Sequence, residues 1–224
     1  MLWRPYLRNC STIPTVRPES RIRETLATGL PALDAIIDGF PRGAISEITG
    51  PDSSGRTTLV HSLLAASTTK FEICAYVDTS DSFDPVSAAA TGVTLSQLLW
   101  IRCGHDAEHA LKVADALLHA GGFGAVILDL CQVSPRNLNR TPISYWYRFR
   151  RAIENTPTIL ALVEKQPLAK SCALLLLEMN RKKTVWAGAP GFQLLREVEL
   201  EASSRKPIRP VAANIKARSL GELA

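Results

Sequence analysis

Apolar positions in the first two thirds of the chain fall into two alternating rhythms. Ala44 to Thr49, Glu72 to Asp78, Leu98 to Cys103 and Ala125 to Leu130 are short, nearly continuous apolar runs, the pattern of strands buried on both faces. Between them the spacing becomes helical. One helix is predicted from Arg56 through HSLLAA and another opens at Pro85, whose ring suits a first turn. A third runs from Asp106 to His119, with Ala107, Ala110, Leu111, Ala114, Leu117 and Leu118 on one face, and stops at Gly121, Gly122 and Gly124. Strands alternating with helices of this length give βαβ units, hence a mostly parallel sheet with helices on both faces.

Beyond Pro135 the pattern loosens. Ile143 to Asn155 reads as a helix in which aromatic and basic residues interleave, and Thr158 to Glu164 as a further strand. ALLLLEMNRKK and FQLLREVELEA read as extended strands at an antiparallel edge. Residues 1–24, with three prolines and five arginines and no periodicity, read as an N-terminal arm, and residues 25–202 as one core domain. Residues 203–224, polar, basic and punctuated by proline, read as a flexible tail.

With 224 residues and 46% hydrophobic content the chain can bury one continuous core. No run approaches the roughly 20 apolar residues of a membrane span, and the N-terminus lacks the pattern of a secretory signal, so a cytoplasmic protein without membrane contact is expected. The five cysteines (Cys10, Cys74, Cys103, Cys131, Cys172) form no CxxC pair and are read as free thiols. His105 and His109 are one helical turn apart, but no third ligand accompanies them.

Charge divides the chain. Residues 1–24 carry five basic against two acidic residues, a net of +3; residues 25–135 carry five against twelve, −7; residues 136–224 carry sixteen against seven, +9. A basic C-terminal part suits either a polyanionic partner or a solvated face.

The candidate chemistry lies in the acidic part. GPDSSGRTT, Gly50 to Thr58, sits between a strand and a helix with the spacing of a phosphate-binding loop. In such a loop the glycines let successive N–H groups converge on phosphate oxygens, and the following helix adds its dipole. Gly50, Ser53, Ser54, Gly55, Arg56, Thr57 and Thr58 are the candidate nucleotide-binding residues, with Thr57 and Asp129, which ends the strand AVILD, as candidate magnesium ligands. Arg56 stands where such a loop carries lysine. A planar fork keeps the charge but cannot place a compact ammonium between two phosphates, so binding should weaken and hydrolysis should weaken more.

Five ordered matches, TGLPALD (Thr28 to Asp34), GAISEITGPDSSGRTT, CAYVDTSDSFDP (Cys74 to Pro85), GVTLSQLLW (Gly92 to Trp100) and AVILD, resemble the RecA recombinase family. The resemblance implies a RecA-like α/β fold: a phosphate-loop core, a mostly parallel central sheet flanked by helices, and antiparallel C-terminal strands. It implies ATP with Mg²⁺ as cofactor, and it also exposes departures. The family's water-activating glutamate falls on Ser80, and VSPRNLNRTP and KQPLAKS replace its long glycine-rich DNA loops. The shortened pattern is most similar to the ImuA group of mutasome accessories. That likeness implies DNA-damage tolerance and translesion synthesis, with an ImuB-like polymerase homologue, a RecA-type recombinase or a second copy as partner, and ATP held weakly or lost. The other outcome for the same residues is an active DNA-dependent ATPase.

Arg136, Arg140, Arg148, Arg150 and Arg151, interleaved with Tyr145, Trp146, Tyr147 and Phe149, have the composition of a single-strand binding surface. At helical spacing the same aromatics also fit a core face. Arg181, Lys182, Lys183, Arg205, Lys206 and Arg209 complete the basic residues expected to meet DNA or a partner.

Overall fold

The computed structural model describes residues 24–138, 140–189 and 191–218. Cys10, nearly all of the expected arm and the last six residues of the expected tail lie outside them. Along the chain run β1 (Thr25–Leu26), α1 (Pro31–Ile37), β2 (Phe40–Pro41), β3 (Ala44–Thr49), α2 (Arg56–Thr68), β4 (Cys74–Asp78), α3 (Pro85–Ala90) and β5 (Leu98–Arg102). There follow α4 (Ala107–Ala120), β6 (Ala125–Asp129), α5 (Pro135–Leu138), α6 (Ile143–Ile153), β7 (Ile159–Glu164), β8 (Ala173–Ala187), β9 (Leu194–Lys206) and β10 (Ile208–Arg218).

Eight strands make one sheet in the order β10-β9-β8-β3-β7-β6-β4-β5, and β1 pairs with β2 separately. From β8 to β5 every neighbour is parallel, while β9 and β10 are antiparallel. The strands that read as unbroken apolar runs are the central ones, and their side chains divide by alternation. In β6, Ala125 and Ile127 join the core beneath α1 and α2, whereas Val126 and Leu128 join the core beneath α4 and α6. Local chemistry starts the helices where the sequence places them: Asp84 and Asp106 accept the first free N–H groups of α3 and α4.

The C-terminal side refines one expectation and overturns another. The antiparallel C-terminal strands form as expected, and ALLLLEMNRKK, as β8, joins them to the core by running parallel to β3 on one side and antiparallel to β9 on the other. β3 pairing ends at Thr49 with Glu178, so the rest of β8 continues past the core strands with β9 alone beside it, as a projecting ribbon. The flexible tail expected from Ser203 is corrected. Ser203–Lys206 completes β9, and Ile208–Arg218 forms β10. Ala213 and Ile215 are buried under α1 while Asn214 and Lys216 face solvent. Lys216 and Arg218 lie on the outward side of an amphipathic strand whose inward positions are Ala213, Ile215 and Ala217, too little apolar volume to show as a hydrophobic run.

Candidate functional site

β3 delivers the chain to Gly50 at the carboxyl end of the sheet, the usual place for ligand sites in parallel α/β folds. Gly50 turns at φ 149°, and a Cβ there would overlap the Met179 carbonyl of β8. Gly55, at φ 89°, precedes α2, and a Cβ there would overlap the Leu200 side chain of β9. The loop therefore lies between β3 and the C-terminal ribbon: a backbone carbonyl bars a side chain at Gly50, and at Gly55 the positive φ and the buried Leu200 side chain disfavour one. No side chain caps the N-terminus of α2, and the Ser54 hydroxyl is buried without a partner. Free helix N–H groups beside an orphaned hydroxyl are suited to an anion. Thr57 is exposed, and Thr58 half-buried, on the first turn of α2; Ser53 is exposed at φ 60°.

Arg56 is 7% exposed and turned inward. Nη1 donates to the Glu164 carbonyl at 2.7 Å and Nη2 to Asp52 Oδ1 at 3.2 Å. The guanidinium is a staple between the loop and the end of β7. Asp52 Oδ2 accepts from Lys165 Nζ at 3.0 Å, and Lys165, with a smaller contribution from Arg56, holds the Asp52 carboxyl below its usual range.

Beneath the loop lies a buried pair of acids. Glu47 Oε1 accepts from the Leu168 and Ala169 amides, both at 2.6 Å, and Glu164 Oε1 accepts from Leu168 at 3.2 Å. Burial, then the neighbouring Glu47 carboxyl, pushes Glu164 well above the ordinary glutamate value. The pair anchors the turn after β7, the segment beginning KQPLA.

Asp129 is spent inside the fold. Its Oδ2 accepts from the Tyr76 hydroxyl at 2.7 Å and Oδ1 from the Cys131 amide at 2.9 Å. Among the described residues no group of three or more His, Cys, Asp or Glu is placed to hold a metal ion. Asp78 organises the next turn, accepting from the Ser80, Ser82 and Phe83 amides and from Trp100 Nε1. Asp81 pairs through both oxygens with Arg102 on edge strand β5. Ser80 carries only a hydroxyl, 3.2 Å from that of Thr79.

A family model described as the RecA N-terminal domain matches residues 14–138, more than half of the chain. The chain belongs to the RecA family. Protein RecA of Rickettsia prowazekii (strain Madrid E) is 41% identical over 108 residues, which cover 47% of this chain and 32% of that protein. Protein RecA of Rhizobium etli is 40% identical over 116 residues, covering 50% and 32% respectively. The chain thus spans about a third of the length of the curated relatives it matches. A crystal structure of the RadB recombinase superposes with a TM-score of 0.62 at 18% identity, covering 86% of this chain and 94% of that one, which shows the shared α/β fold.

The RecA-family match includes the phosphate loop, Ser80 and Asp129 and ends before α6 and the ribbon. Of the basic residues in that remainder, several are engaged within the fold. Arg148 binds Asp115 at 2.7 Å and lies over the Tyr145 ring; Lys182 pairs with Glu201 at 2.9 Å, and Arg205 with Glu178. Arg209 is 4.0 Å from Asp38, and Lys206 donates to the carbonyls of Lys170, Ser171 and Ala173. Arg136, Arg140, Arg150, Arg151, Arg181 and Lys183 are exposed. Arg140 borders a groove of ≈ 580 Å³ with His105, Asp106 and Tyr145. Trp146 and Phe149 are core residues, packed edge to face at 5.8 Å, so the core reading holds for them; Tyr147 is exposed.

Sequence reading passed over Asp52, Glu47, Glu164, Lys165 and Leu200. Glu164 had a legible signal, a carboxylate closing the apolar run TILALV. Leu200 had none, because its contact with Gly55 joins segments far apart in the chain.

No helix among the described residues is long and apolar enough to cross a membrane.

Proposed function

We propose that this RecA-family chain is an accessory of DNA-damage tolerance, of the kind its ImuA resemblance implies, acting through DNA and partner proteins with little or no ATP hydrolysis. The observation that carries the reading is the use of Arg56 as a staple to the Glu164 carbonyl and Asp52. A cation committed to the floor of the loop is withdrawn from the terminal phosphates, where hydrolysis needs positioned charge. Ser80 offers no carboxylate to activate water, and Asp81, its acidic neighbour, is held by Arg102.

The phosphate part of the site fits a nucleotide, given the uncapped start of α2 and the Ser54 hydroxyl. Thr57 is the residue that would hold Mg²⁺, which would supply charge to the phosphates; Asp129, whose two oxygens already accept from Tyr76 and the Cys131 amide, would join it only through its remaining lone pairs. In this reading the nucleotide is a structural ligand. DNA contact falls to the exposed arginines Arg136, Arg140, Arg150 and Arg151, with Arg181 and Lys183 on the ribbon. An ImuB-like polymerase homologue, a RecA-type recombinase or a second copy is the protein partner.

ATP turnover with and without single-stranded DNA, for the unmodified chain and Arg56→Lys, tests the proposal. Background turnover by the unmodified chain is expected under both conditions. Robust DNA-stimulated hydrolysis, abolished by Asp129→Ala, would overturn it.

A further inference from the structure

The cation that the loop withdrew at Arg56 has a counterpart on the neighbouring strand. β7 pairs with β3 in parallel, Thr49 opposite Glu164, so the residue after β7 emerges beside the loop. That residue is Lys165. Its side chain is exposed, and its ammonium sits 3.0 Å from Asp52 Oδ2, on the loop itself. Arg56 in contrast is buried and spends its donors on a backbone carbonyl and the other Asp52 oxygen. An independent sign of a missing ligand is the Ser54 hydroxyl. It is 99% buried and has no hydrogen-bond partner, and it lies within 2.7 Å of where a Gly50 Cβ would stand, turned into the loop.

We propose that Lys165 is the phosphate-contacting cation of this loop, with Asp52 as the internal anion that holds its ammonium in place when no phosphate is bound. The inference rests on the reading of the loop as an anion cradle and names the residue that completes it. The ligand class is a nucleoside triphosphate or another polyphosphate. Lysine suits the task because it is a compact point charge on a flexible stem, able to leave one oxyanion for another without rebuilding its surroundings. Arg56 would keep its two acceptors throughout and hold the floor of the loop in shape. Because Asp52 competes for the same ammonium, weakly charged anions are rejected and polyphosphates favoured.

The test is equilibrium binding of a fluorescent ATP analogue with Mg²⁺ to the full chain, with pyrophosphate as competitor, for the unmodified protein, Lys165→Ala, Lys165→Arg and Asp52→Asn. Lys165→Ala should weaken binding at least about tenfold, the loss of one charge-assisted hydrogen bond. Lys165→Arg should fall between, and Asp52→Asn should tighten binding by removing the competing carboxylate. Thermal melts should match for the two Lys165 variants, whose side chain is exposed; Asp52→Asn keeps an amide oxygen for Arg56 Nη2, and its own melt is the reference for its binding. If the unmodified chain binds and Lys165→Ala binds as tightly, the Lys165 assignment fails and the cradle stands. If neither the unmodified chain nor Asp52→Asn binds, the cradle reading falls and takes this inference with it.

Discussion

In the phosphate loop the guanidinium of Arg56 is drawn inside the fold, onto a strand-end carbonyl and Asp52. In the C-terminal ribbon Lys182, Arg205, Lys216 and Arg218 remain near the surface and meet Glu201, Glu178, Glu199 and Glu197 on the facing strand. The first arrangement commits a charge to the interior, where every donor must be satisfied; the second leaves its charges half in water, where pairing is worth little. A cation's place in the fold, more than its place in a motif, decides what it is free to do. The same comparison explains why a segment of net charge +9 does not present a uniform basic face.

The comparison can be broken most forcefully at the ribbon. Removing the residues after Ser203 takes away β10, including buried Ala213 and Ile215, and leaves α1 without its floor. A destabilisation of about 2–4 kcal/mol or more is expected from the lost apolar burial alone. Circular dichroism melts would check it, and a shortened chain melting like the full one would show that β10 contributes nothing to the core.

An intermediate effect is expected at the acids under the loop. The folded-state pKa of Glu164 is raised, so between the ordinary glutamate value and the folded one the native state binds more protons than the unfolded chain. Its stabilising contribution is full below the ordinary value and is lost as pH rises through the folded value. Glu164→Gln should flatten that dependence and raise stability relative to the unmodified chain at alkaline pH, where the buried carboxyl is forced to ionise. Urea midpoints across the pH range measure it, and an unchanged slope would remove Glu164 as the cause.

The smallest effect is expected from Lys182→Ala. Its exposed pairing with Glu201 should change stability by no more than about 0.5–1 kcal/mol. A larger loss in the same denaturation assay would mean that the ribbon's surface pairs act as a network.

Much of the α/β half was readable because its rules are local. Asp106 at a helix start, Pro85 in a first turn and the run AVILD each act over a few residues, and each produced the element it announced. β10 was missed because alanine supplies most of its inward face and its exposed positions mix Arg209, Lys216 and Arg218 with Pro210 and Asn214, a pattern that also fits a solvated tail. The loop's frame was legible from its glycines and threonines; the occupation of Arg56 was not, since its acceptors are Asp52 nearby and the Glu164 carbonyl more than a hundred residues away.

The sequence by itself determined the βαβ succession, the phosphate-loop frame and the departures at Arg56 and Ser80, because periodicity, turn chemistry and residue identity are properties of short segments. Only the tertiary structure decided that Leu200 closes over Gly55, that two acids share the space beneath the loop, and that Lys165 stands at the loop beside Asp52. Each of those depends on strand order, and strand order is set by which faces of distant segments can be buried together.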